Sequence, residues 1–230
     1  RNQTLSGVIS GSGNLRLDSY AATLTLTNTN TYTGNTYINA GILQISDDRN
    51  LGAVPGSVTA GNISFGGGTL HPTENLTLAA NRGISFGSGT INVDSGKQLQ
   101  VDGIVASSSG TITKVGTGTL LLTGNDTNSG TTSFNINAGA VVIQNNAPYL
   151  TGIYFTGSGT LTIQPKDASF TSDTFANLNT PITLTALTIG KAGNTGTITL
   201  ARDITTAGSQ TYYGPVRLSN TITLSTSSGN

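Results

Sequence analysis

One phrase is written twice in this chain, and it limits the fold more than any other feature. Residues 23–45 read TLTLTNTNTYTGNTYINAGILQI and residues 119–143 read TLLLTGNDTNSGTTSFNINAGAVVI. Leu24 and Leu26 answer to Leu120 and Leu122, Gly34 to Gly130, Asn39-Ala40-Gly41 to Asn137-Ala138-Gly139, and Ile45 to Ile143. Each copy holds a short alternating strand, a polar Asn/Thr turn, a second strand, Ala-Gly and a third strand. Self-similarity of this kind marks a repeat architecture, in which one unit cannot bury its own apolar face and must stack on its neighbours.

The residues between the copies keep the same rhythm. Apolar pairs one residue apart occur at Leu15/Leu17, Leu24/Leu26, Leu43/Ile45, Ile63/Phe65, Leu76/Leu78, Ile84/Phe86 and Ile91/Val93. They continue at Ile153/Phe155, Leu161/Ile163, Ile182/Leu184, Leu187/Ile189, Ile198/Leu200, Val216/Leu218 and Ile222/Leu224. Gly, Asn, Asp and Ser separate them, as in Gly11-Ser12-Gly13-Asn14 and Gly66-Gly67-Gly68. Strict alternation bounded by turn formers is the signature of strands. Abundant threonine suits a pleated surface and disfavours helix. The fold class is all-β.

The chain divides into a first unit over 1–96, a partial second unit over 97–146, in which Leu5 and Gly7 return as Val101 and Gly103, and divergent coils over 147–230. All three are expected to form a single β-helical domain. Arg1 and Asn230 fall inside repeats, so a segment of a longer chain is expected. The stretch from Gln164 to Thr180 interrupts the alternation, and its Phe170 and Phe175 are expected to tuck against the coil rather than form a binding loop.

Gly116-Thr117-Gly118-Thr119-Leu120, then Ser129-Gly130-Thr131-Thr132 and Ile136-Asn137-Ala138-Gly139, resemble the autotransporter-associated β-strand repeat of bacterial passenger domains. Tyr32-Thr33-Gly34 and Asn39-Ala40-Gly41 carry the same resemblance in the first copy. The tail from Asp203 to Val216 resembles repeats of filamentous-haemagglutinin-type exoproteins. Both resemblances imply a right-handed parallel β-helix exported to the bacterial cell surface or beyond, with no catalytic residue carried over. At about 20 residues per turn the chain would make roughly eleven coils, with aliphatic residues inward and Thr, Asn and Ser outward.

Composition removes several functions. The formal net charge is zero and only 9% of residues are charged; nucleic-acid binding rests on basic patches that neutralise phosphates. No apolar run approaches the roughly 18 residues of a membrane helix. The absence of Cys removes disulfides and the thiolate zinc sites. Gly66-Gly67-Gly68 lacks the aspartate of calcium-binding β-rolls. No cofactor or metal is expected.

Few residues are candidates for chemistry. Asp47-Asp48-Arg49 is the densest charged spot, but a glycosidase needs two carboxylates across a groove, and neighbours in a strand point to opposite faces. A solvated turn is expected there. His71, the sole histidine, has no aspartate near it in sequence and is expected in a surface loop. Asp102, Asp126 and Asp167 stand alone in sequence. The pairs Thr23/Thr25, Thr111/Thr113, Thr160/Thr162, Thr183/Thr185 and Thr197/Thr199 could bind ice if stacked on one flat face; their irregular spacing points to ordinary surface filling.

The expected function is therefore a secreted or surface-exposed structural or adhesive β-helix, a stalk or fibre segment without catalysis. Its expected partners are itself, through end-to-end or lateral stacking, and a surface glycan or a ligand on a host or neighbouring cell. The alternatives are a polysaccharide-active enzyme on the same fold, or an ice- or carbohydrate-binding solenoid.

Overall fold

The computed structural model describes the chain apart from residues 21, 108, 126, 129–131, 149, 174, 179–182 and 228–230. Asp126, Gly130 and Ile182, singled out above, lie outside the described residues. The described strands pair in parallel throughout, each lying on the strand one turn earlier. Parallel pairing without crossover helices requires the chain to circle back for every strand, and that circling makes a right-handed β-helix of roughly ten turns. This is close to the roughly eleven coils expected, and turn length varies: Leu24 pairs with Leu43 and Leu43 with Leu70, steps of 19 and 27 residues.

Most strands belong to a 12-stranded and a 7-stranded sheet, with two 2-stranded ladders towards the C-terminal end. Two long strands, Thr59–Pro72 and Arg82–Asn92, join two faces of the tube within the larger sheet. Their register shifts between Phe65 and Thr69, where Gly66-Gly67-Gly68 turns the corner. A Cβ on Gly89, at the same corner, would lie 2.4 Å from the Phe65 ring, so glycine is what lets the aromatic column pass. Phe65 and Phe86 stack there with centroids 4.5 Å apart.

The two written copies occupy different faces. Thr23–Leu26 and Ile42–Ile45 stand in the larger sheet, whereas Thr119–Leu122 and Ala140–Gln144 stand in the smaller one. The offset between the copies is not a whole number of turns, so the second is rotated about the tube. The phrase survives the rotation because its requirements are local. Gly41 and Gly139 hold the same left-handed φ of 68° at the Ala-Gly turn, a conformation that glycine adopts without steric cost.

Inside, equivalent side chains stand above one another. Leu99, Leu120, Val141, Leu161 and Leu187 form one column across five turns, each at 0–1% exposure. Burying each such side chain is worth about 1.5–3 kcal/mol. The expected inward pairs are buried from Leu17 to Leu200, among the described residues and with Leu15 only partly covered. The last ones are not: Val216, Leu218 and Leu224 are exposed, because strands Val216–Leu218 and Leu224–Thr226 have no further turn above them among the described residues. The first strand, Gln3–Leu5, is exposed in the same way.

One column contains a cation. Leu43, Leu70, Ile91, Lys114 and Ile136 follow in register, and Lys114 is buried. Its Nζ donates to the carbonyls of Val115 and Gly116, each at 2.7 Å, and of Ala138 at 3.4 Å. Three carbonyl dipoles replace its lost water but supply no counter-charge, and burial pulls its pKa down to about 8. An unfolded lysine titrates near 10.4, so between about pH 8 and 10.4 the unfolded chain holds a proton that the folded chain has released. Stability contributed by this site therefore rises with pH across that window. Thermal melts at pH 7.5 and 9.5 should show this gain in the native chain and its loss in Lys114→Met.

Candidate functional site

The charged cluster at Asp47-Asp48-Arg49 is a short turn, solvated at Asp47 and Arg49 as expected but not at Asp48. Asp48–Leu51 form a 3-10 helix with Asp47 as its N-cap, and Asn50 closes a capping box. Asp47 accepts from the Arg49 backbone and from the Arg49 guanidinium at 2.8 and 2.9 Å. The hydrogen bonds from Arg49 hold the Asp47 carboxyl down to about 2. A general acid in glycoside hydrolysis requires the opposite, a raised pKa.

Asp48 turns inward and meets Arg82, a residue that composition and spacing leave unremarked. The Arg82 side chain is fully buried. Its Nε donates to Asp48 Oδ1 at 2.8 Å, while its terminal nitrogens reach the Leu51 and Gly52 carbonyls and Asn62 Oδ1 at 2.7–3.0 Å. Every arm of the fork is thus occupied, which is what makes a buried guanidinium tolerable. The pair fastens the 3-10 turn to strand Arg82–Asn92 on the next turn. Its sequence signal is faint: one arginine directly before Gly83, with its counter-ion 34 residues away.

His71 also departs from the expected surface loop. It lies in strand Thr59–Pro72, its side chain 15% exposed, and Nε2 stands 2.9 Å from Asp94 Oδ2. Gln44 places its amide nitrogen 3.1 Å from Nδ1, and the Thr25 hydroxyl donates to Gln44 Oε1 at 3.0 Å. The amide donor makes Nδ1 the acceptor and leaves the Nε2 proton to Asp94. An aspartate is therefore near in space although far in sequence. Both ring nitrogens are occupied, so the imidazole has no position from which to take a proton from a nucleophile. It is one rung of a polar ladder over four turns.

The remaining described candidate carboxylates are also bonded. Asp102 Oδ1 accepts from Gln100 Nε2 at 2.8 Å and from the Thr123 hydroxyl, and Asp167 Oδ2 accepts from Asn146 at 2.6 Å. Asparagines serve the interior as well. Asn30 accepts from the Ile9 backbone and donates to the Asn50 carbonyl, and Asn50 donates to the Asn28 carbonyl, stitching three turns together. No group of three or more metal-ligating side chains occurs among the described residues.

In the described part of 164–178 the two aromatics tuck in as expected. Phe170 and Phe175 are buried and meet edge to face at 4.8 Å. The threonine pairs do not stack into a flat array: Thr23/Thr25 stand over Ile42/Gln44, and Thr160/Thr162 stand between Ala140/Val142 and Ala186/Thr188. No described helix is long and apolar enough to cross a membrane.

The family model of the passenger-associated-transport repeat matches residues 19–45 and 112–143, the two copies of the phrase. The chain carries autotransporter passenger repeats. It is also 44% identical over 73 residues to the adhesin BmaC autotransporter of Brucella suis biovar 1 (strain 1330), a match covering 32% of this chain and 2% of that protein. The chain thus spans a very small part of the relative's length. No solved structure matches. These passenger repeats are related to those of adhesin-type autotransporters, which supports an extracellular or cell-surface location.

Removing Asp48 leaves the Arg82 charge buried without a counter-ion, a loss of about 3–5 kcal/mol. Urea unfolding of Asp48→Ala should show a loss of this size, and Asp47→Ala a smaller one near the ~1 kcal/mol of a helix cap.

Proposed function

We propose that this segment is a rigid spacer and adhesive surface of a bacterial surface protein, working through its length and lateral faces and not through a reactive centre. The observation that carries the reading is an interior filled by aligned aliphatic columns, with each described candidate acid or base already bonded to protein groups. Such a rod binds by area and repetition, where linked weak contacts gain by effective concentration. The ligand is a surface glycan or another component of a host or neighbouring cell, as the word adhesin in the relative's name suggests. The units 1–96, 97–146 and 147–230 act as one continuous tube.

Self-association, end to end or lateral, is part of this proposal. Among the described residues Leu5, Val216, Leu218 and Leu224 are exposed on strands Gln3–Leu5, Val216–Leu218 and Leu224–Thr226, apolar edges that a further turn of this chain or of another copy would cover. Open edges of this kind recruit another strand. Head-to-tail contact joins unlike surfaces and does not close, so it gives filaments.

Two measurements test this reading. Incubation with a panel of polysaccharides should release no products; cleavage lost on replacing Asp47 or Asp48 would make the protein an enzyme. Light scattering on the isolated segment should show mass rising with concentration, and Leu218→Lys with Leu224→Lys should suppress the rise. A monomer at all concentrations contradicts end-to-end stacking.

A further inference from the structure

Along one corner of the tube, where the strands of the smaller sheet end, lies an open groove of about 320 Å³. Successive turns supply its lining: Asp102 after strand Gln98–Val101, Thr123 and Asn125 after Thr119–Leu122, Gln144 to Asn146 at the end of Ala140–Gln144, and Lys166 after Thr160–Gln164. Elsewhere the corner side chains are used up by the next turn, as at Asn30, Asn50 and Asn194. Here they are not. Among the described residues the half-buried Gln144 amide, the Lys166 ammonium and the second carboxylate oxygen of Asp102 have no partner, while Asn125 spends only its oxygen, on Asn145.

We infer that this corner groove binds a short stretch of an uncharged, linear oligosaccharide lying along the axis of the tube. The inference rests on the adhesive reading above and names where and what such a surface would hold. Amide, hydroxyl and carboxylate groups donate and accept side by side, as the vicinal hydroxyls of a sugar do. Lys166 and Asp102 offset each other at opposite ends, which disfavours phosphate or nucleic acid, since these need an excess of positive charge. The polar lining disfavours lipid or an apolar peptide, which need an apolar floor. Three steps between neighbouring strands separate Asp102 from Lys166, about 14 Å at ~4.8 Å per step, enough for about three sugar units laid end to end. No described aromatic ring lines the groove, so a single site is weak and repetition along a longer rod supplies avidity.

The test is a titration of the isotope-labelled chain with cellotriose and with maltotriose, followed through the side-chain amide resonances of Asn125 and Gln144. Saturable shifts with a millimolar dissociation constant are expected for at least one of the two. The double variant Gln144→Ala, Lys166→Ala, with unchanged melting, should weaken binding by about fivefold or more, the size of a lost hydrogen bond or two. No saturable shift with either sugar, equal affinity in the variant, or tighter binding of trigalacturonate, which would mark an anion site, overturns the inference. Cell adhesion of the native segment is measured alongside. Adhesion that persists without trisaccharide binding removes the groove alone, whereas a native segment that does not adhere removes the adhesive reading itself.

Discussion

Register between neighbouring turns is the constraint on which the whole molecule depends. A strand here has no partner within its own turn; its backbone and side chains are satisfied only by the strands directly before and after it. Because alternate residues face opposite sides, a slip of one residue would turn Leu120 and Leu122 outward and bring Leu121 into the tube. Each column of Leu, Ile, Val and Phe therefore fixes the next. The polar interruptions follow the same logic. Lys114 in its column and Arg82 beside the 3-10 turn are each held by a specific set of carbonyls, in the case of Arg82 with a carboxylate.

The same constraint shapes function. An interior filled by stacked side chains leaves no room for a deep pocket, and flat sheet faces give area without concavity. Along the flank of the tube a concavity appears at a corner, where side chains from Asp102 to Lys166 project unequally. Chemistry that needs a general acid beside a base is absent from the described corners, since Asp47 is held ionised by Arg49 and His71 is held at both nitrogens. What remains is recognition by hydrogen bonds repeated along an axis, in keeping with passenger repeats related to those of an adhesin-type autotransporter.

Much of this was legible in the chain. The period-two pairs located the inward positions, and the twice-written Asn-Ala-Gly located turns in which Gly41 and Gly139 share one backbone conformation. Residues 170 and 175 read correctly as tucked aromatics. The partners of charged groups were not legible, because stacking joins residues about one turn apart or more, and turn length varies. Asp94 lies 23 residues from His71 and Arg82 lies 34 from Asp48, separations at which no local pattern operates. The rotation of the second copy onto another face was hidden for the same reason. Val216, Leu218 and Leu224 alternate as well as any core pair, and only their place at the end of the stack exposes them.

Cysteine crosslinking tests the stacking of turns most directly, since the chain has no cysteine of its own. Thr90 and Thr113 stand opposite each other on adjacent turns, on the outer face. Their Cα separation of about 4.8 Å falls within the span of a disulfide, whereas Thr111, two residues along, lies beyond the ~7 Å limit from Thr90. Mild oxidation should close an intrachain disulfide in Thr90→Cys with Thr113→Cys and not in Thr90→Cys with Thr111→Cys. A reversed preference, or no crosslink in either, would contradict the register on which everything above is built.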